Sequence, residues 1–543
     1  MESISSVTRR PFVGFIIFLM AGLLVGKFYG NAILIAASLI LAIPYWFWLR
    51  HNQIAKLSSL TVWAIVFLAG LLATSVIRKH AESETRILSS DVVLPLKVCG
   101  VIDGDIKKRK LADGGTSYIF NLRNVKIHGA QMAGWKVQYM PVALRWYTRR
   151  KCEREPRQGE KWQFTVSKIG RVMRFGKLRI TFQSREIDSE YIAPPSLLDW
   201  RFHSHNLRQI VARRLELGIE GWQNVPELIQ AMLLGSRAEI SPALNRVFKD
   251  SGTVHIFAIS GMHIALVASV LIFILGSTGL ARPQWGLILG PMLFAYAIFT
   301  GARPSALRAC LMGTIYFFAP LIGRKSDGLS ALSLTAIILL AFDPGQFADL
   351  GFLFSFTIVC GLFLLCKPFS GFFRKIFGVN RMVLESQAIS LDKQIGSKKY
   401  ASLWIRYRYK IVSWIADLIA VSLAAWVTSV PLTALFFGRF VPGSLLANMV
   451  IVPTFFMVVV AAILSLLLGI FSDFFAITFN HAAAALTTCM IKVAHITAHI
   501  PGLSMEVASP PLWGVVIWYL FMLLFAWVLA RRQHTDSLNN NVW

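Results

Sequence analysis

Acidic residues are scarce in this chain. Only 28 Asp and Glu stand against 55 Lys and Arg, a formal charge of +27 over 543 residues. Charge of either sign is sparse too, at 15%, where soluble domains carry about 25%. Hydrophobic residues make up 55%, and a single soluble core stops growing near ~250–300 residues, so one water-soluble globule is excluded. Six cysteines with no C-x-x-C exclude a disulfide framework and the usual thiolate metal motifs. No G-x-x-x-x-G-K-[ST] occurs, which excludes ATP binding by a P-loop.

What the chain has in abundance is apolar stretches of about 20 residues, each able to span a ~30 Å hydrocarbon core. Three open it, at about 11–29, 31–49 and 57–77. The first follows Arg9 and Arg10, lacks a convincing small-x-small cleavage site, is followed at once by another apolar run and reads as an uncleaved span. Spans resume at about 254–278, 285–301, 304–322, 328–342 and 347–366, then at 411–438, 444–470, 473–500 and 511–530. Loop 367–410 holds ten basic residues against Glu385 and Asp392. The Lys/Arg excess of cytoplasmic loops puts this loop and both termini inside. The expectation is a polytopic α-helical protein of about 12 spans in the cytoplasmic (inner) membrane.

Between 80 and 200 the pattern changes to short runs broken by Gly, Asp and Pro. Segments 94–103, 116–129, 138–147, 161–170 and 178–186 read as strands, with Asp113-Gly114-Gly115 as a hairpin signal. Five strands in this length suggest a small inserted extracytoplasmic β-barrel, most economically an OB-like one. Cys99 and Cys152 fall here and could pair if the domain faces an oxidising compartment; Cys310, Cys360, Cys366 and Cys489 read as small hydrophobes. Amphipathic helices are expected at about 204–217, 224–235 and 240–249. They either lie on the outer membrane surface or cap the bundle. The division is thus 1–79, N-terminal spans; 80–200, basic β domain; 201–250, amphipathic helices; 251–535, membrane domain.

Residues 78–216 hold 28 Lys and Arg but 14 Asp and Glu. Long external domains cross the membrane largely regardless of charge, so this excess calls for a polyanionic partner or anionic lipid. Trp135, Trp146, Tyr147 and Trp162 interleave with Arg149 and Arg150, the combination that single-strand binding uses, cations tracking phosphates and rings stacking bases. Strand aromatics also serve as core, which is the competing reading.

Four segments of the membrane half carry polar groups. In GTVHIFAISGMHIAL, His255 and His263 flank Ser260-Gly261; polar groups at this depth face a cavity or one another, and Ser-Gly can interrupt the helix. Ser260 with His263 also permits a hydrolase reading. In FTGARPSALRACLMG, Arg303 can snorkel to the surface, whereas Arg308 lies more than a turn inside and suits a phosphate contact. DPGQFADLGFLFSF contains Asp343, Asp349 and Ser355. Last, the segment from Trp426 to Pro453 contains Pro431, Gly438, Pro442 and Asn448 and reads as a re-entrant or broken helix pair.

In that order, these motifs resemble the competence domain of the ComEC family of DNA-uptake channels. His255, Ala258, Ser260, Gly261 and His263 match the family's H-x-x-A-x-S-G-x-H pattern, Arg308-Ala309 its Arg-Ala pair, and Asn448 with Pro453 its late Asn…Pro motif. The resemblance implies a channel passing one DNA strand inward, with His255, Ser260, Gly261, His263, Arg303, Arg308, Ser355, Asn448 and Pro453 as pore-forming or structural positions. Where the family often has Gly-Phe-Gln-Leu-Ser-Phe, this chain has Gly351-Phe352-Leu353-Phe354-Ser355-Phe356, losing an amide. Many members end in a metallo-β-lactamase-like nuclease with an H-x-H-x-D-H motif. Here His203-Ser204-His205 is followed by Leu207 and Arg208 in the Asp-His places, so no metal, cofactor or catalytic residue is expected. Expected partners are single-stranded DNA, membrane lipid, a separate motor, a DNA receptor and a nuclease, and a homo-oligomer is compatible with the reading. A transporter of another anionic envelope substrate is the alternative; a membrane-embedded hydrolase is a more distant one.

Overall fold

The computed structural model describes residues 94–110, 115–129, 136–138, 142–148, 154–174, 177–196, 199–236, 240–377 and 400–539. The three N-terminal spans, Trp135, Arg149, Arg150 and Cys152 lie outside them. Two compact units interleave along the chain. The first comprises the described residues within Met1–Glu220, Pro226–Ile240 and Phe257–Leu353. The second comprises those within Gly221–Val225, Ser241–Ile256 and Phe354–Trp543.

The first unit opens with strands β1 (Leu96–Lys110), β2 (Thr116–Gly129), β3 (Lys136–Gln138), β4 (Val142–Thr148), β5 (Lys161–Arg174) and β6 (Lys177–Ala193). Their order is β1-β5-β6-β4-β2-β3, and β1 also pairs with β2. That pairing closes a five-stranded barrel and leaves β3 as an appendage of β2. Closure removes the open edge along which sheets aggregate. All pairings are antiparallel except β4 with β6. The core holds Leu96, Val98, Ile102, Phe120, Leu122, Leu144, Trp146, Trp162, Phe164 and Phe182, each contributing roughly 1.5–3 kcal/mol by burial. One carboxylate is buried among them. Glu160 accepts from Arg154 Nη2 at 2.8 Å, from Arg157 N at 3.0 Å and from Trp162 Nε1 at 2.9 Å, so its desolvation is offset by three donors.

Helix α1 (Trp200–Glu216) follows, and Asp199 is its N-cap, accepting from Arg201 N at 3.2 Å. Ion pairs Arg123–Asp199 and Arg201–Asp103 fasten this helix start to the barrel. Then come α2 (Val225–Leu234), α3 (Pro242–Asp250), a 3-10 turn at Val254–Phe257, α4 (Gly261–Ser277), α5 (Trp285–Phe299), α6 (Pro304–Phe318) and α7 (Gly328–Phe342). The remaining helices are α8 (Leu350–Ile376), α9 (Tyr400–Phe437), α10 (Gly443–Leu468), α11 (Asp473–His499) and α12 (Leu512–Asn539). Among the described residues five helical segments are long and apolar enough to cross a membrane: Pro304–Ile322, Leu350–Ile376, Tyr407–Phe437, Gly443–Leu468 and Asp473–His499. Shorter apolar helices include Gly261–Ser277, Gly328–Phe342 and Leu512–Ala526. The chain is a membrane protein carrying a barrel domain.

The stretch expected to be broken between Trp426 and Pro453 is interrupted at 438–442, where α9 gives way to α10, but not at Pro431 or Pro453. Helix α9 runs through Pro431, and α10 runs through Pro453. A proline inside a helix leaves the carbonyl four residues earlier without its donor, here Val427 O. Trp518 Nε1 of α12 donates to that oxygen at 3.1 Å, and Tyr519 OH donates to Thr428 O at 2.8 Å. A neighbouring helix thus satisfies the freed backbone, as transmembrane prolines require. Small residues and one polar link join α10 to α11: Ala462, Ala476, Ala483 and Ala484 are buried, and Ser465 Oγ donates to Asn480 Oδ1 at 2.7 Å.

Candidate functional site

Strand alternation decides which barrel aromatics can meet a ligand. Along β4 the residues at 142, 144, 146 and 148 are buried and those at 143, 145 and 147 half-buried. Trp146 is 1% exposed and Trp162 is 5% exposed. Their ring centroids lie 5.6 Å apart, and Trp162 stacks on Phe164 at 6.0 Å. Both rings are core, with no free face for a base, which corrects their assignment as nucleic-acid contacts. Tyr147 points outward. Register sets it opposite Ser117 on β2 and Arg185 on β6, and Arg145 Nη1 donates to its hydroxyl at 3.3 Å. A half-exposed ring bonded by one guanidinium and in register with a second arginine is therefore the outward feature of the β2–β4–β6 face. Arg145 and Arg185 escaped the sequence reading, although the two-residue period would have found Arg145 once Tyr147 was chosen.

In the same unit, two of the membrane-half motifs meet. Ser260 is the N-cap residue of α4, and His263 Nδ1 accepts from Ser260 N at 3.3 Å while lying 3.1 Å from Ser260 Oγ. The imidazole, 1% exposed, thereby closes the helix start, so the expected interruption at Ser-Gly is real and the helix begins at Gly261. His255 belongs to the second unit and is exposed on the 3-10 turn Val254–Phe257. A Cβ on Gly261 would come 3.6 Å from Ala309 Cβ of α6, and Ser305 Oγ donates to Ile259 O at 2.6 Å. The start of α4 thus packs along the first turns of α6.

Both arginines of α6 face protein. Arg303 precedes the helix and donates through Nη2 to Gly235 O, so it is tied to the turn after α2 instead of snorkelling. Arg308, 6% exposed, donates from Nη2 to Gly351 O at 2.9 Å, while its Nε is buried with no hydrogen-bond partner among the described residues. Asp349 sits beside it, its Oδ1 accepting from Gly351 N at 2.9 Å and Phe352 N at 3.3 Å. A Cβ on Gly351 would stand 3.0 Å from Asp349 Oδ1 and 3.2 Å from Arg308 Nη2. A side chain at 351 would crowd both the cation and the carboxylate, and glycine leaves them room at the start of α8.

Ser355, Asn448 and Pro453 belong to the second unit. Ser355 is half-buried, and Asn448 Oδ1 is buried with no partner among the described residues. That unit also contains a polar cluster the sequence reading overlooked. Asp417 of α9 accepts from Arg374 Nη2 through both oxygens, at 2.9 and 2.7 Å, and from Ser370 Oγ. An acid within an apolar stretch was the available signal. Among the described residues no group of three His, Cys, Asp or Glu side chains could hold a metal.

The class defined so far is a helical membrane protein with an attached basic barrel and charged side chains inside its helix packing. The family model described as Competence protein matches residues 232–532, more than half of the chain, and the chain belongs to that family, the ComEC family. Relatives include ComE operon protein 3 of Bacillus subtilis, 30% identical over 170 residues, 31% of this chain and 21% of that protein. Competence protein ComA of Neisseria gonorrhoeae is 32% identical over 149 residues, 26% and 21% of the two chains. Recombination protein 2 of Haemophilus influenzae is 23% identical over 281 residues, 48% and 30%. The matched stretch thus spans about a fifth to a third of these relatives' length. No solved structure matches the chain significantly.

Proposed function

We propose that this protein is a conduit for single-stranded DNA across the cytoplasmic membrane, acting in competence DNA uptake and itself performing no bond-breaking chemistry. The observation that carries the reading is Arg308, a permanently charged side chain within an apolar helix, where the motif around Arg308-Ala309 packs on the Ser260–His263 motif. Keeping a guanidinium there costs insertion energy, and its fork suits phosphate oxygens. The barrel, read as OB-like from its closed Greek-key order, contributes the outward Tyr147 with Arg145 and Arg185 as a collecting face. With the three N-terminal stretches included, about 12 spans build the membrane part. A separate motor supplies the driving force, and a DNA receptor and a nuclease act before or beside it.

The test is entry of labelled DNA into the cytoplasm of the native host, comparing a gene deletion with Arg308→Ala at normal protein abundance. DNA stalled outside the membrane in both strains supports the conduit. Normal entry in the deletion strain refutes it and favours a transporter of another anionic envelope substrate. Labelling of Ser260 by a serine-directed probe would instead favour the hydrolase reading, since Ser260 and His263 are in contact.

A further inference from the structure

Helix α1 buries Leu215 together with an arginine and leaves three of its large apolar side chains outside. Its arginine in mid-helix, Arg208, is only 9% exposed, whereas Trp200, Leu207 and Ile210 are 44%, 51% and 61% exposed. These three fall on one stripe with His203 and Arg214, at intervals of three, four, three and four residues, and Arg213 flanks it; all three polar members are exposed. A helix laid on a soluble core would show the reverse. The outward face needs an apolar environment with negative charge at its edge.

The position of the helix says where that environment is. α1 packs on α5, and Arg208 Nη1 lies 3.5 Å from where a Cβ of Gly301 would stand. Gly301 and Ala302, at φ of 96° and 50°, make the turn between α5 and α6. Arg208 therefore sits by the C-terminal end of α5, where helix carbonyls favour a cation. The segment from Pro304 to Ile322 is apolar and long enough to cross the membrane, so the turn preceding it lies at a bilayer face, and α1 lies at that same level. Neighbouring α5 exposes Leu287, Met292 and Ile298, continuing the apolar surface into the hydrocarbon. The one acid of α1, Glu216, is half-buried and engaged by Gln230 Nε2 at 2.6 Å, so no carboxylate is exposed on the helix to repel phosphate.

We propose that α1 is an interfacial helix that docks on anionic phospholipid. Trp200, Leu207 and Ile210 enter the boundary between headgroups and acyl chains. Arg213 and Arg214 meet the headgroup phosphates, each favouring anionic lipid about five-fold, the factor that corresponds to ~1 kcal/mol per surface cation. Because ion pairs join α1 to the barrel, the same contact holds the barrel against the membrane.

The experiment uses the full chain in nanodiscs of equal phosphatidylcholine and phosphatidylglycerol. Leu207→p-benzoylphenylalanine and Ile210→p-benzoylphenylalanine are photolysed and the adducts identified by mass. Lys126→p-benzoylphenylalanine, at an exposed barrel position, is the control. The expected result is phospholipid adducts at 207 and 210 and none at 126. Phosphatidylglycerol should exceed phosphatidylcholine by at least five-fold, and the excess should vanish when Arg213→Gln and Arg214→Gln are combined. Crosslinks to another part of this chain or to a second copy, absence of any adduct, or equal recovery of the two lipids would overturn the proposal.

Discussion

Replacing Arg308 by methionine separates a transport role from a structural one, because the two make opposite demands on stability. The substitution removes one charge-assisted hydrogen bond, Nη2 to Gly351 O at 2.9 Å, worth ~1.5–3 kcal/mol. It also removes a cation from an apolar helix, where insertion costs up to ~2.5–3.5 kcal/mol, and with it the buried Nε, which has no hydrogen-bond partner among the described residues. The terms nearly cancel, and Asp349, which loses the neighbouring cation, keeps its backbone donors Gly351 N and Phe352 N. Arg308→Met should therefore show unchanged abundance and a thermal midpoint equal to or above that of the parent in detergent, while DNA entry is abolished. Arg308→Lys keeps the charge but loses the fork and should restore entry only partly. A variant that unfolds earlier yet still admits DNA would mean that Arg308 is a staple between α6 and α8, and the transport argument would fail.

Three further outcomes follow from the same geometry. Trp146→Ala should destabilise the barrel by ~3–5 kcal/mol, whereas Tyr147→Ala should leave its unfolding nearly unchanged and weaken single-strand binding by ~1–3 kcal/mol, both read on the full chain by chemical denaturation and fluorescence anisotropy. The Lys108 ammonium holds the Glu155 carboxyl below its usual range, and Glu155 raises Lys108 in turn. The depressed acid contributes above its unfolded value and the raised base below its own, so the stability gap between wild type and Glu155→Gln should stay under ~1 kcal/mol near neutrality. It should close as pH falls through the carboxyl's folded value, and denaturation at pH 3 and pH 7 measures it. Trp518→Phe leaves Val427 O without the donor that Pro431 denies it and should cost ~1–3 kcal/mol, seen as a lower thermal midpoint; an unchanged midpoint would show that the carbonyl finds another donor.

Each strand expected between 94 and 186 is present, and the hairpin signal at Asp113-Gly114-Gly115 falls between β1 and β2. Alternation and turn chemistry act over a few residues and survive in any tertiary context. The choice between Trp146 and Tyr147 was not legible, because adjacent aromatics on one strand are equally apolar and only cross-strand closure says which parity faces inward. The same reason hid Arg145 and Arg185. Pro431 reads as a helix break because a sequence shows the missing donor and not its substitute; Trp518 lies 91 residues beyond the carbonyl it bonds, Val427 O. Asp417 was passed over because its partners Ser370 and Arg374 come from another helix.

Hydropathy and charge along the chain were enough to establish a membrane protein with a basic barrel domain, and the order of four motifs was enough to point to its family. Both are properties of neighbouring residues, written in local periodicity. Which groups face one another was decided only in three dimensions: Arg308 on Gly351 O, His263 on Ser260, Arg208 turned inward while Leu207 and Ile210 turn out. A side chain's surroundings are set by segments distant in sequence, and the cost of burying a charge or exposing an apolar face is incurred only once those segments have packed.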